Sequence, residues 1–280
     1  MRELEGKVAV VTGGASGIGL ALAQSFALHG MRIVLADVER AALDRAADEL
    51  REGGAEVLAV ETDVSVGESV EALATRTFGR FGTAHIVCNN AGVGPGGVTW
   101  EIPVRAWEWV LGVDLWGVIH GIRAFVPRLV QQGEGHVVNT ASVAGLIASP
   151  GMAPYAAAKH AVVGLSQSLA HDLQLAGSAV RVSVLCPSAT RTAMNQSGRN
   201  WPARLGDPPD TGLEPGHPAT RHRYGRLHDG SAAEPTDVAD EVVAAVRSGA
   251  FWVITDPDRG TRLPAHVRGM LDGILPELPR

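Results

Sequence analysis

Lys7-Val8-Ala9-Val10-Val11 is a short, largely β-branched run that turns at once into Thr12-Gly13-Gly14-Ala15-Ser16-Gly17-Ile18-Gly19, after which Leu20 to Leu28 has helical composition and Gly30 ends it. A strand that enters a glycine turn and leaves it as a helix is the opening of a parallel βαβ unit. The glycines let the backbone turn tightly and come close to a ligand. The start of the helix adds unpaired N–H groups and the positive end of a dipole, which suits a pyrophosphate.

The rest of the chain repeats that alternation. Arg32–Ala36, Glu56–Val60, Ala84–Cys88, His136–Ala141, Val180–Leu185 and Phe251–Thr255 read as further strands. Arg40–Glu52, Val104–Gln132, Tyr155–Leu175 and Asp237–Arg247 read as helices. Seven strands in a doubly wound parallel α/β sheet of Rossmann type follow, with helices on both faces. At 280 residues, 45% hydrophobic and 19% charged, one domain over 1–280 accommodates them. Residues 194–235 turn to glycine, proline, histidine and arginine, and are expected to cover the substrate. Residues 257–280 are expected to form a C-terminal tail.

Composition excludes several classes. A net charge of −6 gives no basic footprint for nucleic acid. The N-terminus enters a strand with no signal-type apolar region, and no apolar span near 20 residues is read anywhere, so a cytoplasmic protein without a membrane partner is expected. Cys88 and Cys186 each close an apolar run and are expected as reduced core thiols. The ten histidines show no His-x-x-x-His pairing, and no metal site is expected.

Chemistry concentrates between Ser142 and Lys159. Tyr155 and Lys159 stand four residues apart in a helical run, hence on one face. An ammonium beside a phenol stabilises the phenolate, which suits Tyr155 to general acid–base work. Ser142 follows a strand, and its hydroxyl can donate or accept in orienting a carbonyl or alcohol.

Taken together, Thr12-Gly13-x-x-x-Gly17-x-Gly19, Asn89-Asn90-Ala91-Gly92, and Ser142 with Tyr155-x-x-x-Lys159 resemble the short-chain dehydrogenase/reductase family. That resemblance covers nearly all of residues 6 to 256. It implies hydride transfer between a nicotinamide cofactor and a secondary alcohol or ketone. In it Tyr155 is the acid/base, Lys159 lowers its pKa and binds the nicotinamide ribose, and Ser142 positions the oxygen. The family's catalytic asparagine is replaced by Asp114, which is expected to hold a relay water. Gly13, Ser16, Gly17, Ile18 and Gly19 would cradle the cofactor, with Asp63 and Val64 at the adenine and Asn90, Ala91 and Gly92 at the sheet's end. Pro187, Thr190 and Thr192 would hold the carboxamide, with Ser188 standing for the family's glycine.

Asp37, at the end of the second strand, can accept from the adenosine ribose hydroxyls and would repel a 2′-phosphate, so NAD is expected, with NADP possible because Arg40 follows closely. Asp37 could equally be a turn residue or a helix cap. Trp109, Val113 and Trp116 fall at i, i+4 and i+7, as an apolar face suited to a homodimer or homotetramer. Trp100, Ile147, Met152 and Trp201 suggest a bulky apolar substrate. Arg221–Arg226 forms a basic cluster, read as a solvated loop face. Two other readings stay open: a dinucleotide-binding sensor without turnover, and a lyase or epimerase using the same tyrosine.

Overall fold

The computed structural model describes residues 1–94, 96–209 and 232–274. Its strands are β1 (Val8–Thr12), β2 (Arg32–Asp37), β3 (Val57–Glu61), β4 (Ile86–Asn89), β5 (His136–Thr140), β6 (Arg181–Cys186) and β7 (Trp252–Ile254). They join in one sheet of order β3-β2-β1-β4-β5-β6-β7. Every pairing is parallel, with Val8 opposite Arg32 and Ile86 opposite His136. The order reverses between β1 and β4, which leaves a crevice at the carboxyl ends of those strands.

Burial on both faces explains the continuous apolar strands, since all five residues of β1 are buried. One face is covered by α1 (Gly17–Leu28), α2 (Arg40–Glu52) and α7 (Pro235–Ser248), through Leu22, Phe26, Leu43, Val242 and Val246. The other carries α3 (Gly67–Phe81), α5 (Gly117–Gln132) and α6 (Ala153–Leu175), through Leu73, Phe125, Leu129 and Leu173. Each such Leu or Phe contributes roughly 1.5–3 kcal/mol by leaving water. Cys88 and Cys186 are free and buried as expected, and burial pushes the Cys186 thiol up to about 12.

Four expectations need correction. Val104–Gln132 is not one regular helix: α4 (Val104–Leu111) passes through a π-helical turn at Gly112–Trp116 before α5 begins. The wider turn breaks the i, i+4, i+7 register, so Trp109 is buried while Trp116 is half-exposed. The same stretch is also long and apolar enough to cross a membrane by length and composition, contrary to the reading of no such span. It carries Arg123 and Arg128 and is half-buried against the sheet and α3, the position of a core helix. Beyond β7, the expected tail contains α8 (Arg259–Leu271) despite Pro264. Its first turn is fixed by Arg262 on the buried carboxylate of Asp256, at 2.9 Å.

Residues 194–235 are described in part. Ala193–Asn200 and Ala203–Leu205 form 3-10 turns, and Thr190 bridges to Ala233. The cluster Arg221–Arg226 lies outside the described residues.

Candidate active site

A cleft of about 380 Å³ opens at the carboxyl ends of the central strands, within the range of small-molecule sites. Its first wall is the glycine turn. A Cβ at Gly13 would lie 2.8 Å from Ala91 Cα, and one at Gly19 would lie 2.0 Å from the Gly13 carbonyl, so both positions exclude any other residue. Ser16 caps α1 without spending its side chain on the helix. Gly13, Ser16, Gly17, Ile18 and Gly19 all line the cleft.

The turn is tied to its neighbours by the side chains of Thr12 and Asn90. Thr12 Oγ1 accepts from the N–H groups of Asn90 and Ala91, at 2.9 and 3.1 Å. Asn90 Nδ2 donates to the Thr12 carbonyl, and its Oδ1 accepts from Thr140 Oγ1. Asn90 thereby pins β1, β4 and β5 together, and Asn90, Ala91 and Gly92 line the cleft between them.

Asp37 ends β2 at the far side. Its Oδ2 accepts from Ala15 N–H at 3.0 Å and its Oδ1 from Glu39 N–H at 3.0 Å. It is therefore a turn residue that also holds the glycine loop, and the cap position of α2 belongs to Glu39. Burial pushes the Asp37 carboxyl above its ordinary value, and the two N–H donors restrain that rise. Asp63 and Val64 line the cleft beside it, with Asp63 Oδ1 taking the N–H and hydroxyl of Ser65.

The second wall carries the proton chemistry. Tyr155 and Lys159 project from the first turns of α6, with Lys159 Nζ 5.4 Å from the centre of the Tyr155 ring. Lys159 is 1% exposed. Its Nζ donates to the Thr140 carbonyl at 3.0 Å and lies 3.1 Å from Asp114 Oδ2. The second contact is an ion pair off the hydrogen-bond direction, while Asp114 Oδ1 takes the Val93 N–H at 2.8 Å. Burial works to lower the Lys159 pKa, but the charges of Asp114 and Tyr155 outweigh it and the net direction is up. Burial likewise raises Asp114, against the pull of Lys159.

Asp114 is fully buried in the π-helical turn beside Lys159, with Oδ1 taking the Val93 N–H and Oδ2 in the ion pair but accepting no hydrogen bond.

Ser142 follows β5 and begins a 3-10 turn, its Oγ accepting from Ala144 N–H at 3.1 Å and donating to the Pro187 carbonyl at 3.4 Å. Pro187, Thr190 and Thr192 line the cleft after β6. Ser188 replaces a glycine without strain, since no residue other than glycine has a positive φ among the described residues. Between Ser142 and the covering turns the lining is apolar: Val93, Trp109, Val113, Ile147, Met152 and Met194. Trp201 backs Trp109 edge-on at 5.1 Å, whereas Trp100 is 85% exposed and outside the lining. Trp109 lines the cleft and not the outer face its spacing suggests, and Glu39 meets Arg199, 160 residues away, and its neighbour Asn200 only in the folded chain.

Comparison with known proteins agrees with this arrangement. The family model for short chain dehydrogenase matches residues 7–203. A 1-deoxy-11-beta-hydroxypentalenate dehydrogenase of Streptomyces exfoliatus is 41% identical over 263 residues, 93% of this chain and 86% of that protein. A C alpha-dehydrogenase of a Sphingobium species is 30% identical over 280 residues, 99% of this chain and 89% of its own. Among solved structures, a short chain dehydrogenase/reductase from Burkholderia phymatum in complex with NAD is 41% identical and superposes with a TM-score of 0.94, covering 100% of this chain and 99% of that one. By motif, by sheet and by descent, the chain belongs to the short-chain dehydrogenase/reductases, a family of oxidoreductases.

Proposed function

We propose that this protein is an NAD-linked dehydrogenase that interconverts a secondary alcohol and its ketone, with Tyr155 as general acid/base. The observation that carries the reading is the convergence of Ser142, Tyr155 and Lys159 on one cleft whose opposite wall is the glycine turn. The residues present fit a dinucleotide: Gly13 and Gly19 admit backbone approach, the α1 terminus offers N–H groups, and Asp37 stands where a ribose diol would be accepted. Asp63 and Val64 would border the adenine, and Pro187, Thr190 and Thr192 the carboxamide. Asp37 favours NAD, in keeping with the NAD complex of the Burkholderia relative. When bound, the nicotinamide supplies or accepts the hydride.

The chain's own residues manage the proton and the alignment. In oxidation Tyr155 takes the hydroxyl proton, and in reduction it returns one to the carbonyl oxygen. Lys159 favours the phenolate by its charge and keeps that charge because Asp114 balances its burial. Asp114 is a positioning residue acting through Lys159. Ser142 is held by the Ala144 N–H and by a long bond from its own hydroxyl to the Pro187 carbonyl, which it would exchange for the substrate oxygen. The Trp109 and Met152 wall suits a bulky apolar substrate and excludes water from the reacting oxygen.

A cytoplasmic homodimer or homotetramer completes the proposal, supported by exposed Trp116, Val130 and Leu175 on the α5 and α6 side. The test is NADH formation from a panel of secondary alcohols, with calorimetric binding of NAD as an independent readout. A sensor would bind without turnover, and a lyase or epimerase would turn over without net change in cofactor absorbance.

A further inference from the structure

A second ion pair closes the outer end of the cleft, and the proposed reaction does not use it. Glu39 lies two residues beyond Asp37 and lines the same cleft. Arg199 reaches it from the 3-10 segment Ala193–Asn200 on the opposite wall. Arg199 Nε lies 3.0 and 3.1 Å from the two Glu39 oxygens, Nη2 lies 2.6 Å from Oε1, and Asn200 Nδ2 adds a donor at 2.8 Å. Nη1 is turned back onto the carbonyls of Ala193 and Gln196. Every guanidinium nitrogen is occupied. Hydrogen bonding from Arg199 holds the Glu39 carboxyl below the usual carboxylate range, with Asn200 and the charge of Arg45 assisting.

Both partners keep contact with solvent, at 38% and 29% exposure, and such a pair adds little to stability. Its effect on charge in the cleft is larger. Among the described residues, the cations lining the cleft are Lys159, Arg199 and Arg262, and each is matched by a carboxylate: Asp114, Glu39 and Asp256. Arg40, the other arginine close to Asp37 in the chain, is spent on Asp44 of its own helix at 2.8 Å and does not line the cleft. A guanidinium is the side chain best suited to a phosphate. Arg199 is the one whose partner sits beside the ribose-binding carboxylate.

We propose that Glu39 is a second coenzyme-selecting carboxylate: by holding Arg199 it denies a cation to the 2′-phosphate of NADP, so that Asp37 and Glu39 select NAD together. The inference rests on the reading of Asp37 as the ribose acceptor. Replacing Asp37 alone removes one repulsion and leaves Arg199 taken. Replacing both carboxylates frees a long side chain to turn toward the phosphate.

The test is calorimetric binding of 5′-AMP and 2′,5′-ADP to the wild type, Asp37→Ser, Asp37→Ser with Glu39→Gln, and that double variant with Arg199→Gln. The ratio of the two affinities isolates the 2′-phosphate without any turnover. We expect Asp37→Ser to raise preference for 2′,5′-ADP a few-fold, the double variant to raise it at least tenfold further, and Arg199→Gln to abolish the second gain. A double variant no better than Asp37→Ser, or a gain that survives Arg199→Gln, overturns the proposal. If Asp37→Ser leaves both affinities unchanged, the ribose reading fails with it, a result distinct from a responsive Asp37 beside a silent Glu39. Should the triple variant not fold, Glu39→Gln against Arg199→Gln decides it: only the first should gain 2′,5′-ADP affinity.

Discussion

Lys159 keeps its charge in a place where water cannot reach it, and Asp114 is the reason. Replacing Asp114 by Asn preserves shape and removes the balancing charge. Burial then dominates, the Lys159 pKa falls from its raised position, and the ammonium is lost at lower pH. The alkaline limb of kcat/KM should therefore move to lower pH by about one unit or more, whereas a purely structural role would lower activity without moving the limb. Tyr155→Phe should cost about 10²–10⁴-fold in turnover, the range of a positioned acid/base, while calorimetry still reports NAD binding. Ser142, Tyr155 and Lys159 were all legible in the sequence, because their chemistry depends on residue type and helical spacing. The engagement of Asp114 with Val93 and Lys159 was not, because it is made by a contact across elements.

At the scale of elements, strands and helices fell where β-branched runs and apolar periodicity put them, mostly to within a residue or two. The departures have physical causes. A π turn has no compositional signature, yet it sends Trp109 inward and Trp116 outward. In the C-terminal tail, the helix Arg259–Leu271 contains Pro264, and its Arg262 pairs with Asp256 at 2.9 Å. Close approach of α5 to β4 was likewise invisible: a Cβ on Gly121 would meet Asn89 Oδ1 at 1.9 Å. Gly121→Ala should lower stability by about 1–3 kcal/mol through overpacking, read as a fall in melting temperature. The 3-10 turns at Ala193–Asn200 and Ala203–Leu205 form the other element argued to bear on substrate. Trp201 braces Trp109 and donates to the Gly206 carbonyl at 2.8 Å. Trp201→Ala should raise KM for bulky apolar alcohols about tenfold, equivalent to ~1.4 kcal/mol, and leave small alcohols nearly unchanged. An equal rise for both would place Trp201 in general folding rather than in the substrate wall.

The whole molecule depends on a sheet buried on both faces, and β5 carries a buried imidazole. His136 in β5 is inaccessible, with Nε2 2.7 Å from Ser183 Oγ. Burial, with the N-terminal charge and Arg181, lowers its pKa to about 3 from 6.5. The unfolded chain then binds more protons than the folded one between those values, so stability is full above pH 6.5 and falls with acidification by ~1.4 kcal/mol per unit. Melting temperature should drop between pH 7 and pH 5, and His136→Asn should flatten that drop. The parallel order of the sheet and the crevice where it reverses followed from the alternation of elements. The clasp of Glu39 with Arg199 did not, since only the closed fold brings them together. In the function proposed above, the cleft transfers hydride between NAD and a secondary alcohol under control of Tyr155. The deciding measurement is NADH absorbance on mixing the protein with NAD and a panel of bulky secondary alcohols, beside Tyr155→Phe. NADH should form with the wild type and be lost in the variant; equal NADH formation by both proteins would rule out Tyr155 as the acid/base.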